Sequence, residues 1–339
     1  MHRLKYTFLL VLLLGACGGG GASPGAGSTG VVAPPAASTD RPASVERTLS
    51  PGAVDPTLAA GEAVHYAINP SAAATPKGRL VVALPGTGGI PANVREYMRT
   101  AAPRGYHVIG LTYPNAVTVA DYCSGRDADC TGNTRREIIT GADTSAVVAV
   151  SYANSIVGRL TRLLSHLNQS YPAEGWGRFL AGGVPDWSLI TVTGHSQGSG
   201  HAAYMGKLFN LERVVMFSGP SDYGNGVPAT WLSLPNVTPA SRYHGFTHQA
   251  DELVPYALVR NNWGLLGLGA GGEPASVDGT NPPYGNSRQL FTNAAPNPVA
   301  NTVVQSYVKH LSPLIDGATP LNAQGVPIYT AVWQHLAFP

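Results

Sequence analysis

Apolar residues in the central part of the chain occur in short runs that alternate with longer segments of helical periodicity. The run Leu80–Leu84 and the segment 106–115 have the length and composition of buried strands. Between them, the apolar positions of 91–105 recur at helical spacing. We therefore predict a strand, a helix and a second strand, and such a crossover makes the two strands parallel.

The same alternation continues towards the C-terminus. The leucines of 153–170 fall on one helix face, and another helix is expected directly after Ser196. Further strands are predicted at 189–193, 212–220 and 241–251, with an edge strand at 63–70 and a last strand at either 288–294 or 302–308. This order indicates one domain of the α/β class, in which helices flank a mostly parallel sheet.

The first residues follow the pattern of an export signal. A positively charged start precedes the apolar run Phe8–Leu14, which is too short to span a bilayer as a stable helix. Small residues and then Cys17 follow, and the whole resembles a bacterial lipoprotein signal peptide. The resemblance implies that 1–17 is signal and lipobox, that Cys17 is acylated, and that the protein is lipid-anchored in the cell envelope, at the outer membrane or cell surface. The alternative is an ordinary secretory signal.

Composition changes sharply after the cysteine. Residues 18–50 are rich in Gly, Ala, Ser and Pro, which predicts a flexible tether. The folded domain is therefore expected over 51–339. Only 12% of all residues are charged and the net charge is +2, so the chain carries no electrostatic footprint for nucleic acid.

The cysteines fit an exported protein. Of the three in the chain, Cys123 and Cys130 remain once Cys17 is assigned to the anchor. In an oxidising compartment a disulfide between them is expected. A zinc pair is the alternative, but two cysteines without a nearby Cys or His pair do not fill four coordination positions.

The motif Gly194-His195-Ser196-Gln197-Gly198 lies between a predicted strand and a predicted helix. This setting is typical of a nucleophile elbow, in which a tight turn exposes a strained serine above the sheet. Glycines at 194 and 198 would avoid collisions between the strand and the helix. Ser196 is therefore the candidate nucleophile, at a helix N-terminus that favours negative charge.

The chain resembles the α/β-hydrolase superfamily over roughly residues 60–335, and within it bacterial exported serine hydrolases. The resemblance implies a Ser, acid, His order along the chain. Asp251, in the segment HGFTHQADELVP, is the expected acid. Asp222 and Glu252 are the alternatives.

This order restricts the catalytic base. Of the ten histidines, only His310 and His335 follow Asp251. His310 is followed by a small hydroxyl residue and an acid in a predicted loop, as in similar hydrolases, whereas His335 lies in a predicted closing helix. We expect His310 to be the base that activates the serine.

An oxyanion hole requires two backbone N–H groups. We expect one from Gln197, the residue after the nucleophile, and the other from Thr87 or Gly86 in the glycine-rich loop after the strand Leu80–Leu84. A plain glycine turn is the alternative for that loop.

Four further histidines raise the question of a metal site. His195, His201, His244 and His248 lack a completing set of ligands and are expected to pack in the interior, so neither a metal nor a cofactor is predicted. The segment 261–287 is expected either to form a lid or to cover the core.

Together these patterns predict a membrane-tethered serine hydrolase that cleaves small or polymeric carboxylic esters through an acyl-enzyme. An acyltransferase and a non-catalytic binding module on the same fold are the alternatives. A patatin-like lipase is disfavoured despite Asp316-Gly317-Ala318, because the segment upstream of the elbow is a poor oxyanion loop.

Overall fold

The computed structural model describes residues 44–59 and 61–339. The predicted lipidation site Cys17, the signal peptide 1–17 and most of the predicted tether lie outside the described residues.

One mixed sheet organises the described part of the chain. It contains nine strands in the order β1-β2-β4-β3-β7-β8-β11-β13-β12. These are β1 (Glu46–Leu49), β2 (His65–Ile68), β3 (Leu80–Leu84), β4 (His107–Gly110), β7 (Ile190–His195), β8 (Arg213–Phe217), β11 (Tyr243–His248), β12 (Ala275–Ser276) and β13 (Gln289–Thr292). From β4 to β12 neighbouring strands are parallel, whereas β2 runs antiparallel to both β1 and β4.

Two small antiparallel hairpins lie outside this sheet. They are formed by β5 (Leu180–Ala181) with β6 (Val184–Pro185) and by β9 (Tyr223–Gly224) with β10 (Val227–Pro228). The α-helices are α1 (Pro51–Val54), α2 (Arg95–Arg99), α3 (Val119–Tyr122), α4 (Cys130–Thr140), α5 (Ile156–Ser170), α6 (Gln197–Leu208), α7 (Tyr256–Leu265), α8 (Thr302–Gln305), α9 (Val308–Leu311) and α10 (Thr330–Ala337). Within the described ranges, none of the helices is long and apolar enough to cross a membrane.

Helices cover both faces of the sheet, as β3 shows. Because side chains alternate along a strand, Leu80, Val82 and Leu84 enter the core that contains α5 and α6. Val81 and Ala83 enter the second core, which contains α2 and α10. A strand buried on both faces is continuously apolar, and this pattern in the sequence correctly predicted the α/β class.

Three element predictions need correction or refinement. Residues 46–49 belong to the sheet rather than to the predicted tether of 18–50, and they make β2 an inner strand instead of an edge. Ion pairs from Glu46 to Arg95 and from Arg47 to Glu174 also connect β1 to the rest of the domain. Of the two alternatives for the last predicted strand, 288–294 contains β13, whereas 302–305 is helical.

The segment 261–287 covers the core. Trp263, Leu266 and Leu268 are fully buried, and the Trp263 indole N–H donates to the Gly219 carbonyl at 3.0 Å. This burial favours the second of the two interpretations of the segment.

Cys123 and Cys130 are bonded as predicted, with their sulfur atoms 2.02 Å apart. Cys123 directly follows α3 and Cys130 begins α4, so the disulfide joins the two helices. Both helices contact Gln197, α3 through the Val119 N–H and α4 through Arg135.

Candidate active site

Ser196 lies in a strained turn at the carboxyl end of β7. Its φ and ψ angles are 53° and −119°, a region that residues other than glycine seldom adopt. Its N–H donates to the Phe217 carbonyl of the neighbouring strand at 2.9 Å, and α6 begins at the next residue. The surrounding structure therefore holds Ser196 at a helix N-terminus in a conformation that costs free energy, as is common at functional sites.

Both glycines of the motif are required by close approach. A Cβ atom on Gly194 would lie 2.0 Å from the Gly198 carbonyl oxygen, and one on Gly198 would lie 2.3 Å from the Leu84 carbonyl oxygen. Because these obstacles are backbone atoms, a rotamer change cannot relieve the clash. Close packing of the backbone therefore requires glycine at both positions of the motif, as the sequence suggested.

We expect Gly198→Ala to lower the free energy of unfolding by about 3 kcal/mol, because the added methyl group must displace the backbone of β3. Denaturant unfolding followed by tryptophan fluorescence would measure the change. Gly264→Ala is the matched control, since a Cβ atom there meets nothing within 4 Å. Equal stability of the two variants would contradict this account of the elbow.

His310 and Asp251 form a buried pair. The His310 Nδ1 and the Asp251 Oδ2 are 2.7 Å apart, and their side chains are 3% and 0% exposed. Asp251 follows β11, and its other carboxylate oxygen accepts the N–H groups of Leu253 and Val254, both at 2.8 Å. The aspartate is thereby fixed, so it can orient the imidazole.

The imidazole lies beside the elbow. The rings of His195 and His310 are 5.1 Å apart between centroids, and the His195 Nε2 is 3.0 Å from the His310 carbonyl oxygen. Among the described residues, no hydrogen bond joins the Ser196 hydroxyl to His310. Such bonds are often long before substrate binds.

Glu252, an alternative acid, has a different position. Its carboxylate accepts the backbone N–H of His310 at 3.1 Å and that of Lys309 at 3.3 Å. It therefore contacts the main chain of α9, while the imidazole meets Asp251.

Asp222, the other alternative, is engaged elsewhere. Its two carboxylate oxygens accept hydrogen bonds from Nε and Nη2 of Arg135, both at 2.5 Å. One of these oxygens also accepts a hydrogen bond from the Trp231 indole N–H at 2.8 Å. Arg135 in turn donates to the Gln197 carbonyl at 3.0 Å. This buried ion pair supports the first turn of α6.

His335 lies at the opposite edge of the sheet from Ser196. Arg213, the first residue of β8, donates to the His335 carbonyl, and the His335 ring packs against Tyr284 at 5.4 Å. Since β7 and β8 are parallel, the start of β8 and the end of β7 are at opposite edges. His335 is thus not brought to the elbow.

The loop after β3 packs against Ser196. A Cβ atom on Gly86 would lie 3.0 Å from the Ser196 Cβ, and the Thr87 hydroxyl donates to the Gln197 Oε1 at 3.1 Å. Among the described residues, the backbone N–H groups of Thr87 and Gln197 have no protein acceptor. These N–H groups are available to a bound oxyanion.

Three further hydrogen bonds hold this loop and Gln197 in place. The Asn115 amide donates to the carbonyls of Gly86 and Gly89 at 2.7 and 2.9 Å. The Val119 N–H donates to the Gln197 Oε1 at 2.8 Å. The loop and Gln197 are therefore fixed to α3 and to the segment that precedes it.

The four remaining histidines considered above are buried, and burial favours the neutral form of each ring. Burial lowers the pKa of His195 to about 3 and that of His244 to about 2, and it also lowers the pKa values of His201 and His248. In the part of the chain that the structure describes, no three His, Cys, Asp or Glu residues are grouped so that they could hold a metal ion.

The site unites a strained serine, a carboxylate-oriented histidine and free backbone donors, the set of groups that acyl transfer uses. No known protein-family model and no curated protein sequence matches this chain significantly. Two residues of the site were not predicted from the sequence. Arg135 donates to the Gln197 carbonyl, and the Ser218 hydroxyl donates to the His310 carbonyl at 2.8 Å. Neither residue belongs to a sequence motif. Each reaches the site only through tertiary packing, for which the sequence gives no local signal.

Proposed function

We propose that this chain is a serine hydrolase with an α/β-hydrolase fold that cleaves carboxylic esters through an acyl-enzyme. The observation that carries the proposal is the 2.7 Å pair of His310 and Asp251 beside the strained Ser196. The strand, turn and helix around Ser196, and the order serine, aspartate, histidine along the chain, add support.

The first half of the reaction follows from these groups. His310 accepts the hydroxyl proton as Ser196 attacks the ester carbonyl, and Asp251 stabilises the resulting imidazolium. The N–H groups of Gln197 and Thr87 receive the negative charge of the tetrahedral intermediate. His310 then gives its proton to the departing alkoxide, and an acyl-Ser196 ester remains.

Water completes the cycle. His310 removes a proton from the water as the oxygen attacks the acyl-enzyme, and it returns that proton to Ser196 when the carboxylic acid leaves. The chemistry requires only side chains and backbone amides of the chain.

The cellular setting belongs to the same proposal. The signal-like start, with Cys17 as the acylated residue, supports a lipid-anchored hydrolase of the bacterial envelope. Acyl chains at Cys17 would attach the protein to a membrane through buried methylene groups, each of which contributes about 0.8 kcal/mol.

Labelling with a fluorophosphonate tests the proposal. We expect one adduct on Ser196 in the full-length protein, located by mass spectrometry after digestion, because only an activated serine reacts readily. Ser196→Ala should abolish the adduct, whereas Ser199→Ala should keep it. A folded wild-type protein that takes up no label would overturn the proposal.

A further inference from the structure

The main-chain carbonyl of His310 accepts two side-chain hydrogen bonds. The Ser218 hydroxyl donates at 2.8 Å, and the His195 Nε2 lies 3.0 Å from the same oxygen. Both side chains are buried, with exposures of 0% and 3%. A carbonyl oxygen has two lone pairs, so these donors saturate it.

Both donors come from the sheet directly beside the nucleophile. His195 is the last residue of β7 and precedes Ser196, while Ser218 follows β8. His195 pairs in register with Phe217, the neighbour of Ser218. The two hydrogen bonds therefore connect His310 to the strands that place the serine.

Ser218, which donates to this carbonyl, has an unusual backbone conformation. Its φ is +51°, which is uncommon for any residue except glycine, and its N–H donates to the Phe246 carbonyl at 3.0 Å. Strained residues persist where the surroundings fix them, and they concentrate at functional sites.

The element that carries His310 needs such external support. Helix α9 spans only Val308–Leu311, and helices this short have little stability of their own. Glu252 holds the N–H of His310 at 3.1 Å, while His195 and Ser218 hold its carbonyl. The main chain is thus restrained at both its donor and its acceptor.

His195 is suited to this role because it donates without carrying a charge. Burial lowers its pKa to about 3, so the ring is neutral, and a donating Nε2 places the ring proton on that nitrogen. A cation in its place would oppose the positive charge that His310 acquires during turnover. The His195 Nδ1 would lie 3.0 Å from a Cβ atom on Gly86, so the ring bridges the oxyanion loop and the base.

We propose that His195 and Ser218 are positioning residues that hold the catalytic imidazole through the backbone carbonyl of His310, an inference that rests on the proposed function. Displacement of a reacting group by about 1 Å can cost roughly 100-fold in rate. The two donors should therefore affect turnover and leave substrate binding unchanged.

The test compares a donor-retaining with a donor-lacking substitution. We expect His195→Phe to lower kcat on p-nitrophenyl butyrate by about 10- to 100-fold with little change in KM. His195→Gln, whose amide nitrogen can occupy the Nε2 position, should recover most of that loss. Ser218→Gly, which removes the hydroxyl and relieves the backbone strain, should lower kcat while the Tm is maintained.

The outcomes separate this inference from the function on which it rests. If wild-type protein takes up no fluorophosphonate, the proposed function fails. If wild-type protein labels but His195→Gln and His195→Phe lose equal activity, or KM changes in place of kcat, the positioning role is wrong. If the Phe variant does not fold, the Ser218→Gly variant decides, and an unchanged kcat overturns the role.

Discussion

Replacement of His310 by alanine is expected to lower the turnover of ester substrates by between about 10⁴- and 10⁶-fold. In the proposed mechanism no other group accepts the Ser196 proton, and a neutral hydroxyl is a poor nucleophile. Steady-state kinetics with p-nitrophenyl butyrate and the rate of fluorophosphonate labelling would both measure the loss. KM should change little, because the proposed role of His310 is to move the reacting proton and not to bind substrate.

His335→Ala is the matched control, because His335 is the other histidine that follows Asp251 in the sequence. Its ring packs against Tyr284 at 5.4 Å, at the opposite edge of the sheet from Ser196. We therefore expect nearly unchanged turnover from this variant. A large loss in His335→Ala, or an active His310→Ala, would contradict the assignment of the base.

The buried strands could be predicted from the sequence because local composition determines them. The apolar run Leu80–Leu84 matches β3 at both ends, since a strand covered on both faces contains no polar position. Helix α5 begins where Ser155 caps it, with the Ser155 hydroxyl accepting the Gly158 N–H at 3.1 Å. Both signals lie within a few residues of the element.

Other elements depend on distant partners. The sequence predicts a tether over Glu46–Leu49 because these residues pair with β2 and form ion pairs with the remote residues Arg95 and Glu174, and neither contact has a local signal. The segment 302–308 is the alternative prediction for the last strand, and it contains helix α8 instead. Asn301, which accepts the N–H groups of Val303 and Val304 at 3.0 Å, is the capping residue that would have identified a helix.

The strand, turn and helix around Ser196 could be predicted from the sequence, but the contacts that distinguish Asp251 from Asp222 could not. Asp222 and Asp251 both follow strands that lead to the carboxyl edge of the sheet. What distinguishes them is Arg135, which α4 brings close enough to Gly200 of α6 that a Cβ atom there would lie 2.2 Å from the guanidinium carbon. The packing of two helices therefore determines which aspartate is engaged by an arginine and which one meets the imidazole.

The two aspartates should consequently respond in different ways to substitution. Asp222→Ala leaves the Arg135 guanidinium buried without a counter-ion, and we expect a loss of about 3–5 kcal/mol in the free energy of unfolding. Asp251→Asn keeps the shape of the side chain but removes the charge that, in the proposed mechanism, stabilises the imidazolium. We expect turnover to fall by about 10⁴-fold, with a much smaller effect on stability.

Denaturant unfolding and steady-state kinetics on both variants would measure this contrast. The double variant Arg135→Met, Asp222→Leu is the control, since replacing a buried ion pair by apolar groups is often neutral. It should recover most of the lost stability, less the cost of about 1–3 kcal/mol for the Trp231 indole N–H that loses its acceptor. If Asp222→Ala instead remains stable and loses turnover while Asp251→Asn keeps it, Asp222 acts in the chemistry and the assignment of the acid must be reversed.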